Sequence, residues 1–145
     1  MTSTDSGGCR CGAVRYEAEG DALGAGHCYC VACRKSSATG QSSNLAVSTE
    51  GLAATRELRF FDAPADGGNV VSRGFCPACG SPIHRTQSGM PPMAFVSASS
   101  LDDPERFQAR MSVYARRAPS WGPVAGDLPG FSGVPPAAAM PAGEA

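Results

Sequence analysis

The sequence predicts a small, mainly β single domain of short antiparallel strands, and three observations lead to that class. Glycine and proline contribute 18 and 12 of the 145 residues, a composition that suits short strands and many turns better than long helices. Apolar and polar residues alternate in brief runs separated by turn signals. Seven cysteines fall into three tight groups, with none outside them. They offer a metal staple to a loop-rich chain whose apolar core is limited.

The strands can be taken in order. Val14-Arg-Tyr16-Glu-Ala18-Glu alternates as a half-buried strand does. The same period returns in Leu45-Ala-Val47, Leu58-Arg-Phe60, Val71-Ser-Arg73-Gly-Phe75, Met93-Ala-Phe95-Val-Ser97 and Met111-Ser-Val113-Tyr-Ala115. Turn residues divide these runs at Asp62–Gly68, at Gly89–Pro92 and from Gly130 onward. The expectation is about six to eight strands. Two brief segments read as helical. Asp103-Pro104-Glu105 has a capping aspartate, a proline at the first helical position and an acid in the first turn. Val31–Ser36 offers a turn or two after a strand bearing Cys28 and Cys30. From Gly122 the chain is rich in Pro, Gly and Ala, so residues 1–136 form the expected domain and 137–145 a flexible tail. No repeat or second domain is visible.

Charge and targeting narrow the function. A net charge of −1 and a pI of about 6.1 leave no electrostatic footprint for nucleic acid or an anionic membrane. Residues 1–8 have neither a basic region nor an apolar one of signal-peptide type, and no apolar run approaches the length of a membrane span. The expected location is therefore cytoplasmic, where thiols stay reduced and free for metal. A disulfide framework is the alternative for a cysteine-rich chain. The odd count, the missing signal and the C-x-C spacings speak against it.

The cysteines are Cys9-x-Cys11, Cys28-x-Cys30-x-x-Cys33 and Cys76-x-x-Cys79. Structural zinc takes four protein ligands, whereas catalytic zinc takes three and keeps a position open. Four plus three uses every thiol. In an extended strand, residues i and i+2 share a face, so a C-x-C pair turns two sulfurs one way. Cys76-Pro-Ala-Cys79-Gly80 reads instead as a knuckle, with the glycine free to take positive φ. Cys9, Cys11, Cys76 and Cys79 together make a closed, structural Zn²⁺ site. Cys28, Cys30 and Cys33 remain as an open, catalytic one, for up to two Zn²⁺ per chain. Three thiolates leave that complex with a charge of −1, and its natural fourth ligand is another soft donor such as a substrate thiol.

Other residues near the trio have plainer readings beside functional ones. Arg34 and Lys35 follow it directly and either meet an acidic ligand or form a solvated, salt-bridging pair. His27 adjoins Cys28 but points the other way in a strand, which favours a hydrogen-bonded structural role. Trp121 either packs as a core or rim aromatic or walls off the open zinc.

Taken together, Gly8-Cys-Arg-Cys-Gly-Ala-Val-Arg-Tyr16, Cys28-Tyr-Cys-Val-Ala-Cys-Arg34 and Phe75-Cys-Pro-Ala-Cys-Gly-Ser81 resemble the glutathione-dependent formaldehyde-activating enzyme (GFA) family. Ser100–Pro104, Pro119-Ser-Trp121 and Leu128–Pro136 extend the similarity over residues 7–136. The resemblance implies a β-tent fold, a structural zinc on the two cysteine pairs and a catalytic zinc on the trio. It also implies a carbon–sulfur lyase that condenses formaldehyde with glutathione, so the expected partners are a glutathione-like thiol and a small carbonyl. Arg110-Met-Ser-Val113 lacks the histidine that members often carry there, and the tail beyond Pro136 lies outside the pattern. The competing class is a non-catalytic zinc-binding module for a protein partner, which would need four or eight ligands rather than seven. A zinc deaminase needs H-x-E and P-C-x-x-C, and here His27 is followed by Cys28-Tyr29.

Overall fold

In the computed structural model, residues 3–90, 92–122 and 128–137 are described. Their strands and helix run β1 (Thr4–Gly8), β2 (Arg15–Glu19), β3 (Gly24–Cys28), α1 (Val31–Ser37), β4 (Ser42–Ser48), β5 (Leu52–Ala54), β6 (Arg59–Pro64), β7 (Val70–Phe75), β8 (Pro82–Gln87), β9 (Met93–Ser97) and β10 (Met111–Val113). Two sheets result. One is antiparallel, in the order β1-β2-β5; the other has seven strands, in the order β10-β3-β4-β9-β8-β7-β6. Among the pairs of described strands β10–β3 is the parallel one, and β10 also makes an isolated parallel bridge from Ser112 to Gly130.

The predicted alternation holds best where one face is buried. In β2, Tyr16 and Ala18 are buried while Arg15, Glu17 and Glu19 face solvent. They pack with Val14 against Leu45 and Val47 of β4, Val96 of β9 and Ile83 of β8. This core lies between the sheets. Side chains of adjacent strand residues point to opposite faces, so the register sets a second row across the large sheet. Arg73, Arg85, Phe95 and Ala46 are aligned on β7, β8, β9 and β4, facing away from the row of Leu45 and Val96. That outer face carries the site.

The structure corrects three expectations about elements. Ten strands are described rather than six to eight. The extra ones are short or poor in apolar residues, such as β1 with its sequence TDSGG. The turn expected from Asp62 begins later, because β6 runs on through Pro64; this strand is at the sheet edge, where a proline removes no ladder hydrogen bond. The brief helical segment expected after Asp103 is present as a single 3-10 turn, capped as expected by Asp103 Oδ1 accepting from the Glu105 N–H at 3.0 Å. Ala115 leaves the strand, because Tyr114 takes φ 53° and the chain turns. Of the expected tail, 137–145, residues 138–145 lie outside the described residues. No described helix is long and apolar enough to cross a membrane.

One contact makes the packing between the sheets testable. A methyl group on Gly7 would fall 2.2 Å from the Ser100 carbonyl oxygen and 2.4 Å from the Tyr16 hydroxyl. That hydroxyl is also 2.7 Å from Ser100 Oγ. Gly7→Ala should destabilise the fold by about 1–3 kcal/mol, the range for overpacking a dense interior, and a thermal melt will read the loss.

Candidate functional site

The C-x-C pair is not in a strand. Cys9-Arg-Cys11-Gly12 forms a tight turn after β1, closed by the Gly12 N–H on the Cys9 carbonyl at 3.3 Å. The same-face argument therefore fails, and a turn gathers the sulfurs instead. Cys76–Gly80 is the matching knuckle after β7, with the Gly80 N–H on the Cys76 carbonyl at 2.8 Å. Gly12 and Gly80 have φ of 82° and 79°, the left-handed region that side chains disfavour.

These two turns converge. The sulfurs of Cys9, Cys11, Cys76 and Cys79 lie within 4.8 Å of one another, with Cys9–Cys11 at 3.5 Å and Cys11–Cys76 at 3.8 Å. Four sulfurs on a tetrahedral zinc at about 2.3 Å stand about 3.8 Å apart, so the spacing suits such an ion. Hydrogen bonds favour the anionic sulfur that metal needs. The Val14 N–H points at Cys9 Sγ from 3.2 Å and draws that thiol below its usual range. The Ser81 hydroxyl, 3.2 Å from Cys79 Sγ, helps bring that thiol down to about 5.

The trio is built differently. Cys28 closes β3, Cys30 caps α1 and Cys33 sits in its first turn, where its N–H is 3.3 Å from Cys30 Sγ. A strand end running straight into a helix thus brings three sulfurs within 4.8 Å of one another. Among the described residues, no histidine or carboxylate joins them. Hydrogen bonding to Cys30 and Cys33, then burial, pushes the Cys28 thiol up. Hydrogen bonding to Cys28 and Cys30 holds Cys33 well below the usual thiol range, and the charge of Arg85 adds to this. Three sulfurs sharing protons and negative charge in this way form a donor set for a soft divalent ion. Both cysteine clusters could hold a metal ion.

Beside the trio lies a cavity of about 440 Å³. Met90, Phe95, Met111 and Val113 give it apolar walls, while Arg73 and Arg85 bring positive charge. Arg73 Nη2 stands 3.8 Å from Cys33 Sγ, and the Arg85 guanidinium carbon stacks 4.3 Å above the Phe95 ring. At the rim the Tyr114 hydroxyl donates to Asp66 Oδ2 at 3.1 Å. Arg117 lies over the Tyr114 ring at 5.4 Å.

The other sequence candidates are placed elsewhere. Arg34 donates through Nε to the Tyr29 carbonyl at 3.1 Å and is not in the cavity lining. Trp121 is 70% exposed and lies against Gly40, also outside that lining. His27 turns away from Cys28, with Nδ1 2.9 Å from Ser43 Oγ and 3.0 Å from Gln41 Nε2 and its ring edge-on to Phe107. Sequence reasoning missed Arg73, Arg85 and Tyr114. A usable signal existed for Arg73, a charge at the same strand period as Val71 and Phe75 and so on their face of the run. None existed for Tyr114, whose place depends on the turn after β10.

Comparison with known proteins agrees with this architecture. A solved structure of a Rhodobacter sphaeroides protein is similar, with a TM-score of 0.55 and 23% identity over 69% of this chain and 92% of its own. That likeness concerns the fold. No curated protein matches the chain. The model of the glutathione-dependent formaldehyde-activating enzyme family, however, matches residues 4–117, a span that takes in both cysteine clusters and both site arginines. By that match, this chain belongs to the glutathione-dependent formaldehyde-activating enzyme family.

Proposed function

We propose that this protein is a zinc-dependent enzyme of the carbon–sulfur lyase type, which joins a glutathione-like thiol to formaldehyde or another small carbonyl. The observation that carries this reading is the cysteine trio at the wall of a 440 Å³ cavity. A purely structural centre has no need of such a space. Cys28, Cys30 and Cys33 would hold the catalytic ion, while Cys9, Cys11, Cys76 and Cys79 would hold a structural one. The catalytic zinc supplies Lewis acidity that keeps an incoming thiol deprotonated near neutral pH.

The chain's own residues prepare the addition. The apolar walls of Met90, Phe95, Met111 and Val113 strip water from the incoming sulfur and so raise its reactivity. Arg73, close to Cys33 Sγ, offsets the negative charge that three thiolates concentrate there. The cavity holds both reactants at one place, which removes much of the entropic cost of their meeting. The sulfur lone pair forms the new bond to the carbonyl carbon, and the carbonyl π pair moves onto oxygen. That oxygen ends with the proton the thiol gave up. The product is a hemithioacetal, and the reverse path breaks the same carbon–sulfur bond.

The test is the rate at which S-(hydroxymethyl)glutathione forms from formaldehyde and glutathione, followed by NMR line exchange. The protein should raise the rate well above that of the two reagents alone. A rate equal to the uncatalysed one, for formaldehyde and for a panel of small aldehydes, would remove the assignment.

A further inference from the structure

Arg73 and Arg85 are cross-strand partners on β7 and β8, directly opposite in register. Like charges in that position repel, so a site that retains them needs negative charge nearby. Among the described residues neither arginine is in an ion pair with a carboxylate. The ion pairs there are Arg15–Asp102 and Arg106–Asp5, both remote from the trio, and Asp66 at the cavity rim takes the Tyr114 hydroxyl. Arg73 has one partner, Cys33 Sγ at 3.8 Å. Arg85 stacks on Phe95, and its buried Nε has no hydrogen-bond partner among the described residues. An unpaired buried donor on a charged group is costly.

The same two side chains line both the large cavity and an adjoining pocket of about 160 Å³. Ser36, Ser37, Ser42 and Ser97 also line that smaller pocket. A planar guanidinium stacked on a ring, with its Nε unpaired, matches the two oxygens of a carboxylate.

From this geometry we infer that Arg85, seconded by Arg73, forms a carboxylate subsite beside the cysteine trio, so that the substrate pair includes a group bearing a carboxylate close to its reacting atom. The inference rests on the thiol-addition reading and narrows its substrate class. Arg73 balances the thiolates, and Arg85 takes the carboxylate in a two-pronged grip. The charged group can arrive on the thiol or on the carbonyl, and the test separates these sources.

The experiment is calorimetric titration of the zinc-loaded protein with 3-mercaptopropionate, with its methyl ester and, separately, with glyoxylate. Wild type is compared with Arg85→Met and Arg85→Lys, each checked for native circular dichroism and metal content. If the thiol carries the charge, the acid binds wild type at least about tenfold tighter than the ester, and Arg85→Met removes the difference while the ester's Kd stays. If the carbonyl carries it, acid and ester bind alike, and glyoxylate binding is lost in Arg85→Met. Arg85→Lys, which keeps charge without the fork, should recover only part of either preference; it also carries the comparison if the methionine variant does not fold. Equal affinity for acid and ester, with no glyoxylate binding that depends on Arg85, overturns the subsite and leaves thiol addition standing. Failure of both thiols to bind sinks thiol addition, and the glyoxylate titration then decides the subsite by itself.

Discussion

Cys30→Ser is expected to lower turnover by about 10³-fold or more while leaving the protein folded. Cys30 is the half-exposed member of the trio and the cap of α1, with the Cys33 N–H 3.3 Å from its sulfur. Serine is itself a good cap, so the helix start survives the change. What is lost is one of three soft donors, and with it the ion that would polarise the reactants. Metal catalysis is worth several kcal/mol of transition-state stabilisation, and about 4 kcal/mol corresponds to a thousandfold in rate. Hemithioacetal formation followed by NMR, with a thermal melt on the same sample, separates the two effects. A variant that keeps its activity would show that the trio does not carry the chemistry.

The opposite pattern is expected at the other cluster. Cys76 is fully buried in the core cluster, and its sulfur lies 3.8 Å from that of Cys11. The turns after β1 and β7 belong to different sheets, so a shared ion would tie the sheets together at this end. Because such a site does not exist in the unfolded chain, metal affinity becomes folding free energy. Cys76→Ser should cost about 5 kcal/mol or more, a fall in Tm of roughly 20 °C for a chain of this size. Prolonged chelation should do the same to the wild type. Unfolding followed by circular dichroism will show it, and an unchanged Tm would assign the fold's stability to the apolar core alone.

These contrasting effects follow from a division of the cysteines that was visible in the chain itself. Ligand number separated four thiols from three, and the coordinates gather those same two groups. Strands with one buried face were also legible, because Tyr16 and Ala18 must point inward together. The route to the first cluster was not. Cys9 and Cys11 look like strand neighbours, yet Gly12 bends them into a turn, and only backbone dihedrals reveal that. β1 and β5 were invisible for a related reason: β1 is built of polar and small residues, β5 has only three residues, and pairing with β2 decides their state. The cavity wall was harder still. Arg73 and Arg85 are 12 positions apart and meet through the β7–β8 register, which a single-chain pattern does not fix. Trp121 drew attention as the lone tryptophan, but rarity is not position, and it lies on Gly40 at the surface.

The central claim is that the trio's ion accepts a sulfur from outside the protein, and cobalt substitution reports on it directly. In a protein whose catalytic centre alone carries Co²⁺, adding glutathione should intensify and shift the thiolate-to-cobalt charge-transfer band, saturating at one thiol per chain. A spectrum unmoved by glutathione, by 3-mercaptopropionate and by its methyl ester would contradict the account.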